Sequence, residues 1–165
     1  MRPRHLRKPG ATLTEIERVY RESFHNYVRV AGAISGENVA HDVVQDAFAA
    51  AVRARGRWRA EGPLEAWIWR LVVNRARDER RSSGRVAPVN EQPTVSSNGR
   101  AENETVRAAL GALPERQRLV LFLRYYADLD YRTIAQTLEV DEGTVGASLH
   151  AARKRLRLTL QEVET

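Results

Sequence analysis

Residues 82–103 are rich in Ser, Gly, Pro, Asn and Glu, and valine is their only large apolar type, so they have no face to give to a packed core. A chain of 165 residues can hold one ordinary domain or two small ones, and such an interruption favours two. What lies on either side, residues 12–81 and 104–160, is in each case enough for a small helical domain. The pattern predicts an all-α fold of two small helical domains joined by a flexible linker, with no requirement that the domains touch.

The first of these stretches reads as three helices. Thr12 followed by Glu15 has the form of a capping box, and Leu13, Ile16, Tyr20, Phe24, Tyr27, Ala31 and Ile34 then keep one helical face apolar. Ser35 and Gly36 break that helix. In the next, Val39, Val43, Val44, Ala47, Phe48, Ala51 and Val52 recur at helical spacing, Asp42, Gln45 and Asp46 lie on the opposite face, and Gly56 is a natural stop. The third starts at Pro63, where a first-turn proline is tolerated, and turns Leu64, Ile68, Leu71 and Val72 inward.

Stepping by three or four from Trp67 along this third helix gives Arg70, Asn74, Arg77 and Arg81. Arg53, Arg55, Arg57 and Arg59 lead into the same helix through Trp58 and a Gly-Pro loop. Taken singly, each feature has an ordinary explanation, because charged helix faces are usually just solvated and tryptophans usually belong to a core or its edge. Together they place aromatic rings among cations, a combination that suits a phosphate backbone next to an unstacked base. The charge balance agrees: the net charge is +6 and the pI about 10.3, and the first 81 residues hold 16 of the 27 basic residues against 10 of the 21 acidic ones.

In the second stretch Val106, Ala109 and Leu110 make a short helix that ends by Leu113, because Pro114 cannot continue it but can start the next. Leu119, Phe122, Leu123 and Tyr126 form the buried face of that next helix. Asp130 caps a short helix holding Ile134, Ala135 and Leu138, and a tight turn at Glu139, Val140 and Asp141 leads into a longer helix that turns Val145, Leu149, Ala152 and Leu156 inward. This is the helix-turn-helix layout, whose second helix lies in a DNA major groove. A purely structural hairpin has similar spacing. The basic run Arg153, Lys154, Arg155, Arg157 favours the DNA-binding alternative, although cations also gather at helix ends because of the dipole.

Other classes find little support. There is no cysteine, so disulfides and thiolate metal sites are excluded, and His5, His25, His41 and His150 have no ligand spacing. No phosphate loop, no nucleophile with a base and no paired carboxylates in a plausible pocket are visible, so neither an enzyme nor a cofactor is expected. The basic amino terminus lacks the apolar run of a signal peptide, and no stretch is long and apolar enough to span a membrane, so a soluble, cytoplasmic protein with no membrane insertion is expected.

In this order the parts resemble the extracytoplasmic-function (ECF) class of bacterial RNA polymerase sigma factors, in the sigma-70 family. Asp42-Val43-Val44-Gln45-Asp46-Ala47-Phe48 looks like the family's motif on the core-binding helix of region 2, and Trp67-Ile68-Trp69-Arg70-Leu71-Val72-Val73-Asn74-Arg75 looks like its promoter-melting helix. Ala112-Leu113-Pro114-Glu115-Arg116-Gln117-Arg118, Tyr131-Arg132-Thr133-Ile134-Ala135, Gly143-Thr144-Val145 and Leu149-His150 look like its region 4.

The resemblance implies a promoter-specificity subunit that directs transcription initiation, with core RNA polymerase and promoter DNA as partners. Anti-sigma proteins hold many members of the family, which makes such a factor a further candidate partner. Asp42, Gln45, Asp46 and Phe48 would then bind the polymerase core. Arg57, Trp58, Arg59, Trp67, Arg70, Asn74, Arg77 and Arg81 would contact the melted promoter element, and Arg132, Thr144, His150, Arg153, Lys154 and Arg155 the upstream element. The competing class is a free-standing helix-turn-helix regulator that acts without core polymerase. Two stretches depart from the family pattern. Gly146, Ala147 and Ser148 stand where basic residues usually follow Gly-Thr-Val, and Glu139 stands where such turns often have glycine.

Overall fold

In a computed structural model, which describes residues 10–84 and 97–163 of the chain, every regular element is a helix. The first half contains α1 (Leu13–Ser35), α2 (Glu37–Ala54) and α3 (Leu64–Ser82); the second contains α4 (Ser97–Gly111), α5 (Glu115–Tyr125), α6 (Tyr131–Leu138) and α7 (Glu142–Val163). The expected linker lies for the most part outside the described residues, but its last part does not. Helix α4 begins at Ser97 rather than near Glu104, extending the short helix expected from Val106, Ala109 and Leu110 backwards through a polar stretch that carries no apolar signal.

The capping box closes as expected. Thr12 Oγ1 accepts from the Glu15 amide at 3.2 Å, and the Glu15 carboxylate accepts from the Thr12 amide at 2.8 Å. The join between α1 and α2 is a single residue, Gly36, with φ 106° and ψ 145°, a conformation that no side-chain-bearing residue adopts without strain. It turns the chain sharply enough for α1 and α2 to pack on each other and on α3.

The core of the first half is aromatic. Tyr27 lies 4.2 Å from the Trp69 ring and 5.2 Å from the Phe48 ring, while Tyr20 meets Phe48 edge-on at 4.8 Å. Val30, Val43, Val44, Ile68, Val72 and Val73 fill the space around these rings. Burial pushes the Tyr27 hydroxyl far above its ordinary range, with the nearby Glu65 carboxylate adding to the effect. Phe48 belongs to this core: its ring spans the Tyr20 and Tyr27 rings, and only 7% of its surface is exposed. Leu71 is half-buried, and Trp69 takes the central position of the α3 stripe.

Gly10 and Ala11, which precede α1, are fastened to the loop after α2. The Ala11 amide donates to the Arg55 carbonyl at 3.0 Å, and Gly10 packs so closely that a Cβ there would fall 2.2 Å from the same oxygen.

In the second half, Leu119, Val120, Leu123, Ile134, Val145, Leu149 and Ala152 form the core. Asp130 caps α6 by accepting from the Thr133 amide at 2.7 Å, and that bond holds its carboxyl below the ordinary value. Buried Arg118 donates to the Gly111 carbonyl at 3.1 Å, tying the end of α4 to α5.

The two halves pack against each other, although nothing in the linker required it. Helix α3 lies on α6, and α1 on α5, where the Arg29 guanidinium sits 5.1 Å from the Tyr126 ring centre. Linker composition is silent on such packing, which depends on complementary faces that come together only in three dimensions.

Candidate nucleic-acid interface

Helix α2 ends at Ala54 and tightens into a 3₁₀ turn at Arg55–Arg57, held by a bond from Arg55 Nη1 to the Val52 carbonyl at 2.9 Å. Ala60, with φ 55°, reverses the chain, and Pro63 in the extended region starts α3, its carbonyl accepting from the Ala66 amide at 3.1 Å. The result is a short arginine-bearing loop with a tryptophan on each side. Trp58 and Trp67 are both half-buried, each with one side against the core and the other on a cavity.

That cavity, about 330 Å³, is lined by Arg57, Trp58, Arg59, Trp67 and Arg70 from the first half and by Gln136 and Glu139 from the second. Five of the eight residues expected at a melted strand are thus gathered around one opening. Asn74 is exposed further along α3. The other two row residues are held by carboxylates: Arg77 by Glu115, at 2.9 and 3.2 Å, and Arg81 by Asp78 at 3.4 Å. Arg70 itself donates to Glu139 at 2.8 Å. Burial tends to raise the Glu115 carboxyl, but the bonds from Arg77 and the charges of Arg80 and Arg118 outweigh it and hold the group below its ordinary value.

Asp42, Gln45 and Asp46 share an exposed face of α2. Asp46 is bonded to Arg75 of α3. That bond, with a second from Arg75 to Glu79, raises the Arg75 guanidinium above its ordinary value.

In the helix-turn-helix, the turn between α6 and α7 places Glu139 in the left-handed region, φ 57° and ψ 46°, at a cost of about 1 kcal/mol that glycine would not incur. Arg132, His150, Lys154 and Arg155 are exposed, whereas Thr144 is half-buried at the start of α7, its hydroxyl 3.4 Å from Asp141. Arg153 is engaged with Tyr125, donating from Nε to the phenol oxygen at 2.8 Å with its guanidinium over the ring. Gly146 lies in the helix beneath Tyr131.

Family models match the two halves separately: Sigma-70 region 2 over residues 20–86 and Sigma-70, region 4, over residues 103–156. The chain belongs to the sigma-70 family. The sigma-H factor of Pseudomonas aeruginosa is 29% identical over 141 residues, covering 74% of this chain and 73% of that protein. The ECF sigma factor SigM of Mycobacterium tuberculosis is 28% identical over 165 residues, covering 98% and 83%. Its fold matches that of a sigma factor from Bartonella quintana solved with an anti-sigma factor, with TM-score 0.70 and 21% identity over 90% of this chain and 98% of that one. This sigma factor is a sigma subunit of RNA polymerase that directs transcription initiation. No described helix is long and apolar enough to cross a membrane.

Sequence reasoning missed Glu115, Glu139, Arg75 and Arg118 as partners. A first-turn glutamate such as Glu115 reads as complementing the helix dipole, and nothing local marks a bond to an arginine 38 residues earlier.

Proposed function

We propose that this sigma factor binds core RNA polymerase through Asp42, Gln45 and Asp46 on α2 and captures the separated promoter strand on α3. The observation that carries the second assignment is the single cavity shared by Trp58, Trp67, Arg57, Arg59 and Arg70. A base that leaves the stack loses a few kcal/mol, and aromatic walls with guanidinium groups around them offset part of that loss while binding the phosphates. Asn74, Arg77 and Arg81 continue the track along the strand.

Helix α7 would lie in the upstream duplex, with Arg132, Thr144, His150, Lys154 and Arg155 toward it and Arg153 available once it leaves Tyr125. The factor acts by binding rather than by catalysis, needs no cofactor, and works in the cytoplasm, where its polymerase is. An anti-sigma factor is a further partner, a proposal supported by the fold shared with a sigma factor that has one. Domain limits at 12–81 and 104–160 remain the working division, the second extended back to Ser97.

The test is a pull-down with core polymerase followed by run-off transcription on genomic fragments. Transcription that depends on both core and this chain is expected. Tight operator binding by the chain alone, with no effect on core polymerase, would instead identify a free-standing regulator.

A further inference from the structure

Two arginines of the α3 row are held by the opposite half of the molecule. Glu139 of the helix-turn-helix turn accepts from Arg70, and Glu115 at the start of α5 takes Arg77 in a two-point bond. A guanidinium presents the same fork to a carboxylate as to a phosphate, so each glutamate occupies the place a strand phosphate would take. Gln136 and Glu139 also wall the cavity between Trp58 and Trp67, and Gln136 approaches Gly62 so closely that a Cβ there would lie 3.4 Å from its amide. Helix α6 thus contributes one wall of the cavity in which a base would lie.

Two further features concern the strength of this closure. Glu139 carries a side chain at a left-handed position suited to glycine, and that side chain is the one on Arg70. The closed arrangement also leaves the buried Arg70 Nε and Gln136 Oε1 without partners, so it is only partly satisfied and can be displaced.

We propose that Glu115 and Glu139 form a built-in latch that closes the region 4 half over the strand-binding row of α3 in the free chain. The latch rests on the assignment of that row to the promoter strand. A partner that separates the two halves, as simultaneous docking of both on a polymerase surface would, exposes the row, and by linkage strand binding favours the separated form equally. The free factor is thereby kept off single-stranded nucleic acid until it is assembled.

Because the chain has no cysteine, single cysteines placed at the exposed positions Arg21 and Arg157 can carry a donor and acceptor dye that report the separation of the halves. The same protein is titrated with a fluorescein-free, random-sequence single-stranded oligodeoxynucleotide, and binding is followed by anisotropy of the acceptor. E115Q/E139Q is expected to lengthen the dye separation and to bind the oligonucleotide about tenfold more tightly, a gain abolished by Trp67→Ala. E139G, which relaxes the turn while removing the carboxylate, should give part of both effects. E17Q/E22Q removes the same charge from the exposed face of α1 and should change neither. Separation and affinity unchanged in E115Q/E139Q, or matched by E17Q/E22Q, overturns the latch. A longer separation without any Trp67-dependent gain upholds the latch and overturns the strand assignment of α3.

Discussion

Asp46 on α2 receives two hydrogen bonds from Arg75 on α3, both on Oδ2, at 3.1 Å from Nε and 3.0 Å from Nη2. Glu79 holds the remaining nitrogen of the same guanidinium at 3.1 Å. The acidic face proposed for core polymerase is therefore tied at one end into the packing of the domain that presents it.

Reversal of Asp42 and reversal of Asp46 should differ for this reason. Asp42→Arg should weaken core polymerase binding about tenfold with little change in melting temperature. Asp46→Arg should weaken it similarly but also set a cation beside Arg75, lowering the melting temperature by about 2–4 °C, as expected for a loss near 1 kcal/mol. Affinity for core is measured by fluorescence titration and stability by calorimetry. Full affinity in the Asp42→Arg, Asp46→Arg double variant would remove this face from the interface.

The neighbouring tryptophans separate stability from binding. Trp69 is fully buried against Tyr27, so Trp69→Ala should cost about 3–5 kcal/mol in denaturant unfolding. Trp67, half-buried on the cavity, should cost much less on truncation yet reduce promoter opening in a permanganate footprint of the polymerase complex. Similar destabilisation by both would mean that Trp67 is structural.

Glu115 gives a pH dependence with a definite sign. Its folded carboxyl is held below the ordinary value of 4.5, so the stabilisation it provides is complete above 4.5 and is lost as pH falls through the lower folded value. Wild type should unfold at higher temperature than Glu115→Gln at pH 7, and the difference should shrink as pH falls below 4.5. A difference that grows on acidification contradicts the Arg77 pairing.

Gly146 is helical, and a methyl group there would meet Tyr131 Cε2 at 3.6 Å, ordinary van der Waals contact. Gly146→Ala should therefore raise stability by about 0.5–1 kcal/mol in thermal unfolding. Destabilisation would mean that Tyr131 cannot accommodate the added group.

With Gly146, Ala147 and Ser148 unable to make an arginine-type contact to guanine, worth about 1–3 kcal/mol of discrimination, promoter choice should lean on the first half. Selection from a randomised promoter library should change more for Trp58, Trp67 or Asn74 variants than for Ser148 or His150 variants. A sharp upstream motif lost on His150→Ala would reverse this ranking.

Much of the fold was visible in the chain because its signals are local. Thr12 with Glu15, Asp130 before Thr133 and the apolar spacing of α7 each act within one or two turns, and each element formed where those residues put it. Phe48 falls in the apolar spacing of α2 and packs between Tyr20 and Tyr27, as that spacing implies. The start of α4 at Ser97 was missed because a polar helix lacking an apolar stripe leaves no periodic trace. Of the candidate site, the cations and rings were legible, but their counter-charges Glu115 and Glu139 were not. Pairing across 38 and 69 residues depends on how finished helices dock.

The close seating of Gly10 on Arg55 has a practical corollary for handling the protein. The chain enters α1 at Gly10 beside the arginine-bearing loop, so an acidic peptide spliced directly onto Gly10 would bring its carboxylates to Arg55, Arg57 and Arg59 and act as a tethered competitor of nucleic acid. Material for binding work is better tagged beyond α7, since even a weak competitor becomes effective at the local concentration a short tether imposes.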